Sequence, residues 1–103
     1  MSYMLTVDFP YQGPWGNAMS SAMKRLAQSI ANEPGLMWKV WVENEERREA
    51  GGVYLFSDRP SAEAYWDMHS KRLAGFGVTE CRARIFAVNE ALSRMCRAPI
   101  GEP

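Results

Sequence analysis

Residues 33–58 constrain the fold of this chain more than any other stretch. The run Glu33-Pro34-Gly35-Leu36-Met37-Trp38-Lys39-Val40-Trp41-Val42-Glu43 leads into a charged tip and then into Ala50-Gly51-Gly52-Val53-Tyr54-Leu55-Phe56-Ser57-Asp58. Two segments rich in aromatic and β-branched residues around a polar tip predict a β-hairpin. Without an Asn-Gly pair, the tip predicts a loop through residues 44–49 rather than a two-residue turn. Strand side chains alternate. Leu36, Trp38, Val40 and Val42 therefore share one face, and Met37, Lys39, Trp41 and Glu43 the other. In the second strand Val53 and Leu55 oppose Tyr54 and Phe56. Neither face is plainly polar, so both need a cover. Helices can cover one, and a second copy of the chain is the simplest cover for the other, which predicts a homodimer.

The flanking segments supply the helices and two more strands. Tyr3, Leu5, Val7 and Phe9 alternate with Met4, Thr6 and Asp8 as a first strand, ended by Pro10 and Gly13-Pro14-Trp15-Gly16. A first helix is expected from an Asn17 N-cap to Asn32, with Met19, Met23, Leu26 and Ile30 as its apolar stripe. That methionine-rich stripe reads as core packing, with a soft ligand wall as the alternative. Asp58 and Pro60 open a second helix, on which Ala62, Tyr65, Trp66, His69 and Leu73 share a face. Gly75-Phe76-Gly77 ends it, and a last strand is expected over 78–88. Asn89-Glu90 then caps a short terminal helix. Residues 1–96 read as one domain and 97–103 as a tail. The order β-α-β-β-α-β predicts an α+β, ferredoxin-like fold with a four-stranded antiparallel sheet, whose face-to-face dimer is an α+β barrel.

Charge and cysteine content exclude several classes. Twelve basic residues balance twelve acidic ones, which argues against nucleic-acid binding. No apolar run approaches the ~20 residues of a membrane helix. The first residues, Met1-Ser2-Tyr3-Met4-Leu5-Thr6-Val7-Asp8, do not read as a signal peptide, so a cytoplasmic location and free thiols at Cys81 and Cys96 are expected. His69 is the only histidine, and no Cys/His cluster has metal-ligand spacing. With no glycine-rich nucleotide loop either, no cofactor and no metal are expected.

Several motifs keep a distinctive order and spacing: Gly13-Pro14-Trp15-Gly16-Asn17-Ala18-Met19, Glu33-Pro34-Gly35, Trp38-Lys39-Val40-Trp41, Ala50-Gly51-Gly52, Tyr54-Leu55-Phe56-Ser57-Asp58, Ala64-Tyr65, His69 and Val88-Asn89-Glu90. Over residues 3–93 the chain resembles the YdhR-like monooxygenase family of the dimeric α+β barrel superfamily, which also contains antibiotic-biosynthesis monooxygenases. The resemblance implies cofactor-independent oxygenation of an electron-rich, polycyclic phenol-like substrate to a quinone, with dioxygen as co-substrate. Such chemistry needs an apolar aromatic pocket, a proton acceptor and exclusion of water.

The candidate pocket lies between the sheet and the second long helix. Trp38, Tyr54 and Phe56 are the candidate substrate-binding walls, although alternation leaves open which face Trp38 takes, and each aromatic serves equally well as core. His69 is the candidate base, since an imidazole titrates nearest neutral pH; the alternative is a hydrogen-bonded core histidine or one at the dimer seam. Tyr65 is a candidate hydrogen-bond partner for a substrate oxygen, and Arg72 a stabiliser of negative charge. Lys39 and Glu43, and likewise Arg82 and Arg84, share strand faces and read as members of cross-strand or intersubunit ion pairs, with binding of an acidic ligand group as the alternative. Heme degradation fits poorly, because Phe56 stands where such enzymes carry a tryptophan and Asp8 where they carry an asparagine. A dimeric small-molecule-binding or stress-associated protein without turnover is the competing reading.

Overall fold

The hairpin forms the outer half of a single sheet. A computed structural model describes residues 1–101; the last part of the expected tail, residues 102–103, lies outside the described residues. The strands are β1 (Tyr3–Pro10), β2 (Leu36–Asn44), β3 (Glu49–Phe56) and β4 (Arg82–Ala87), and the helices are α1 (Gly16–Ala22), α2 (Lys24–Ala31), α3 (Arg59–Gly75) and α4 (Glu90–Met95). The sheet order is β2-β3-β1-β4, and every neighbouring pair is antiparallel. This is the ferredoxin-like α+β arrangement expected from the sequence.

Register decides which side chains meet the helices. Leu5 pairs with Tyr54 and with Ile85, so these three share the helix-covered face. The core there consists of Leu5, Val7, Ile30, Tyr54, Phe56, Ala62, Tyr65 and Leu73. Each large member contributes roughly 1.5–3 kcal/mol by leaving water. The α3 stripe predicted from 3.6-residue spacing is the buried one: Ala62, Tyr65, His69 and Leu73.

Local signals set the ends of α3. The Asp58 carboxylate accepts the Ser61 N–H at 2.8 Å, satisfying one orphan donor of the first turn. At the other end Val78 N–H donates to Leu73 O and Gly77 N–H to Ala74 O, a Schellman closure. Gly77 takes φ +87°, which a residue without Cβ adopts freely. This closure draws Val78 back towards α3, so β4 begins at Arg82 rather than at the expected position 78.

Two other expectations are corrected. The first helix is two segments meeting at Met23, and its N-cap is Trp15 rather than Asn17. Glu43 on β2 supplies the missing cap, accepting the Gly16 N–H at 2.8 Å. An irregularity in β2 between Leu36 and Trp38 breaks strict alternation. Leu36 consequently joins Lys39 and Trp41 on the helix side, while Trp38, Val40 and Val42 face away. The described part of the expected tail is held against the domain: Trp38 Nε1–H donates to Pro99 O at 2.8 Å, Arg94 Nε–H donates to Gly101 O, and Ile100 is buried.

Candidate active site

On the helix side of the sheet lies a cavity of about 770 Å³. Its floor is β1 and the hairpin, through Val7, Phe9, Trp41 and Tyr54. The helices contribute Met19, Met23, Leu26, His69 and Leu73, and residues 76–80 form one rim. The methionine stripe that reads as core packing from its spacing thus divides. Met19 and Met23 wall the cavity, whereas Ile30 belongs to the core. The volume falls within the range of ordinary small-molecule sites.

Lys39, read from the sequence as a member of an ion pair, lines this cavity instead. It pairs in register with Tyr54, and its neighbour on the same face, Trp41, pairs with Gly52. The lysine stem lies across Gly52, where a Cβ would come within 2.5 Å of Lys39 Cε. The ammonium then rests 3.4 Å from the Trp41 ring centroid and 4.6 Å from that of Tyr54. No carboxylate among the described residues pairs with it, and Glu43, on the same strand face, binds the Gly16 N–H. Burial, with the nearby Arg72 guanidinium second, lowers the Lys39 pKa from 10.5 to about 7. Arg82, by contrast, makes the expected cross-strand pairs, with Asp8 and Glu49.

His69 reaches the cavity from α3 and is almost wholly buried. Its ring stacks on Tyr65 with centroids 4.9 Å apart. Arg72 Nε–H donates to His69 Nδ1 at 3.1 Å. An Nδ1 that accepts a hydrogen bond leaves the ring's own proton on Nε2, a tautomer assigned from this bond. Burial first, then Arg72 and Lys39, push the His69 pKa down to about 4. At neutral pH the ring is therefore uncharged and offers the cavity an N–H donor. Arg72 also donates to Ser29 Oγ at 3.3 Å, and its Nη2 is buried without a partner.

Tyr65 OH donates to Tyr54 OH at 3.1 Å. Burial, and secondly the adjacent Tyr65, push the Tyr54 pKa far above the ordinary tyrosine range, so its hydroxyl keeps its proton. That proton is not spent on Tyr65, which is the donor of the pair.

The six residues singled out from the sequence occupy four distinct settings. Tyr54 and His69 line the cavity. Tyr65 and Arg72 stand behind them and act through hydrogen bonds. Phe56 is fully buried in the core, stacked on Tyr54 at 6.2 Å. Trp38 is corrected: the β2 irregularity turns it to the opposite face, where it holds the C-terminal stretch; it does not line the large cavity and borders only a smaller recess of about 190 Å³ beside α2. The signal for Lys39 was present in its alternation with Trp41 on one strand face, but nothing local showed that this face would be closed over.

These features define a ferredoxin-like α+β domain with an aromatic-walled cavity between sheet and helices. The chain belongs to the family described as "Putative mono-oxygenase ydhR", which it matches over residues 4–99. Among solved structures it is similar to a crystal structure of SnoaB, a cofactor-independent oxygenase from Streptomyces nogalater, in a mutant form. The TM-score is 0.60 at 14% identity, covering 85% of this chain and 93% of that one. At that identity the likeness concerns the fold. A comparison with curated protein sequences found no match. Among the described residues no helix is long and apolar enough to cross a membrane, and no His/Cys/Asp/Glu cluster could hold a metal ion.

Proposed function

We propose that the protein is a cofactor-independent monooxygenase that converts a polycyclic, phenol-like aromatic to a quinone. One observation carries this reading: an amine with a pKa of about 7 faces a large aromatic-walled cavity without a carboxylate partner. Family membership and the description of SnoaB as a cofactor-independent oxygenase support it. The neutral Lys39 amine accepts the phenolic proton. His69 Nε2–H and the Tyr54 hydroxyl donate to the resulting oxyanion, and Arg72 positions His69 by occupying Nδ1. The electron-rich phenolate reduces dioxygen directly. One oxygen atom enters the ring, the other leaves as water, and the substrate supplies all four electrons. His69, the base expected from the sequence, becomes a donor in this arrangement, because its basic nitrogen is engaged by Arg72 and its pKa is low.

The site is tested by oxygen uptake over a panel of polycyclic phenols. Quinone should form in step with dioxygen consumed, and the rate should rise through pH about 7 as Lys39 loses its proton. Lys39→Met should lower turnover by roughly 10²–10⁴-fold while the protein stays folded. A folded Lys39→Met protein with undiminished uptake would remove Lys39 from the mechanism. Ligand binding with no oxygen consumption across the panel would favour the non-catalytic binding protein.

A further inference from the structure

An amine that accepts protons in an apolar cavity is also a nucleophile. Enzymes that form Schiff bases activate lysine by desolvation in a hydrophobic pocket or by an adjacent cation, which keep the nitrogen lone pair free. Lys39 has both. Its stem is folded over Gly52, its head lies on the Trp41 and Tyr54 rings, and Arg72 is the charge that acts on it. The other groups facing it are Tyr54 on β3 and His69 on α3, with Arg25, Glu80 and Tyr11 further round the same cavity. The cavity walls are mostly apolar, and its volume of about 770 Å³ admits a fused-ring molecule. Such walls draw an aromatic aldehyde or ketone out of water while leaving its carbonyl to the polar groups.

We propose that Lys39 is a covalent site: its amine condenses with the carbonyl carbon of an aromatic aldehyde or ketone held in the cavity, forming an imine. The nitrogen lone pair makes the C–N bond while the carbonyl π pair moves to oxygen. A proton passes from nitrogen to that oxygen, giving a carbinolamine. The nitrogen lone pair then forms C=N as the C–O bond breaks, the departing oxygen takes a second proton, and water leaves. The resulting iminium loses one proton to give the neutral imine. One carbonyl compound and one amine yield one imine and one water, with no oxidant or reductant. The Tyr54 hydroxyl, which accepts from Tyr65 and retains its own proton, and His69 Nε2–H are the donors available to the carbonyl oxygen. This activity goes beyond oxygenation and does not depend on it, because the imine forms equally without dioxygen.

The chain carries its own references: Lys24 and Lys71 are the only other lysines, both exposed, and the Met1 amine is a third exposed amine. Wild-type protein is incubated anaerobically at pH 7 with 2-naphthaldehyde, the imines are fixed with cyanoborohydride, and the adducts are mapped by peptide mass spectrometry. The expected result is at least roughly tenfold more labelling at Lys39 than at Lys24 or Lys71 under limiting probe, consistent with tuning of a pocket lysine. Labelling at Lys39 should rise with a midpoint at pH about 7. A short aliphatic aldehyde should lose most of this preference. Lys39→Arg, which keeps a long cationic side chain, should label only at the exposed amines. Labelling of Lys39 no greater than of Lys24 and Lys71, or absent from it, would overturn the proposal. Because the measurement excludes dioxygen, that failure would leave the oxygenase reading to its own test.

Discussion

Lys39 costs this protein stability, and removing it should make that cost measurable. The amine has a pKa of about 7 in the folded protein, against 10.5 in an unperturbed chain. Between those values the unfolded chain holds a proton that the folded protein lacks, so stability rises with pH. Below pH about 7 both states carry the proton, and the folded state bears the full cost of a charge held among aromatic rings and beside Arg72. Each pH unit of separation is worth 1.36 kcal/mol, so the gap amounts to roughly 5 kcal/mol. Lys39 is partly exposed, and water screening lowers the expectation to about 2–5 kcal/mol. Lys39→Met keeps the stem and deletes the charge. It should therefore exceed wild type in stability at pH 6.5, and its advantage should shrink by about 2–5 kcal/mol as pH rises to 10.5. Urea denaturation of both proteins across that range measures the difference, in which ionisations common to both largely cancel. At pH 6.5 a gain near 3 kcal/mol should raise Tm by more than about 10 °C for a chain of this size. Parallel stability profiles for the two proteins would refute the placement of Lys39 as a desolvated amine.

Other substitutions separate the site from the scaffold. Gly52→Ala places a Cβ within 2.5 Å of Lys39 Cε, at the flexible end of that side chain. The lysine should yield, leaving the fold within about 1 kcal/mol of wild type but moving the pH midpoint of turnover upward. An unchanged pH–rate profile would count against the Lys39 geometry. Trp38→Phe deletes the bond to Pro99 O and should cost about 0.5–1.5 kcal/mol, with faster proteolysis after α4 and undiminished oxygen uptake; lost uptake in a folded protein would return Trp38 to the site. The outer sheet face exposes Val40, Val42 and Phe86, and a second copy of the chain should cover it. Light scattering should then give about twice the 11.7 kDa chain mass, and Val40→Asp should dissociate the pair; a clean wild-type monomer would exclude this dimer.

Local physics made much of the fold legible in the sequence. Asp58 and Pro60 announce the start of α3, because a carboxylate satisfies free N–H groups and proline lacks one. The Ala62–Tyr65–His69–Leu73 face follows from 3.6 residues per turn. The hairpin follows from alternating aromatic and β-branched residues around a charged tip, and the ferredoxin-like order follows from counting these elements. Tyr54 and His69 could be nominated for the cavity because each lies on the buried face of its own element. Only the tertiary structure decided the rest. A single irregularity between Leu36 and Trp38 reverses the side on which Trp38 falls, and its own neighbours carry no trace of that. The cap of α1 comes from Glu43, which is distant in sequence. Seating residues 97–101 required the Trp38 indole to be turned towards Pro99. Lys39 reads locally as an ordinary strand lysine. Its lowered pKa arises from burial and then from Arg72, which act on it only when β3 and α3 have packed, since desolvation and long-range charge are properties of the assembled cavity rather than of any segment.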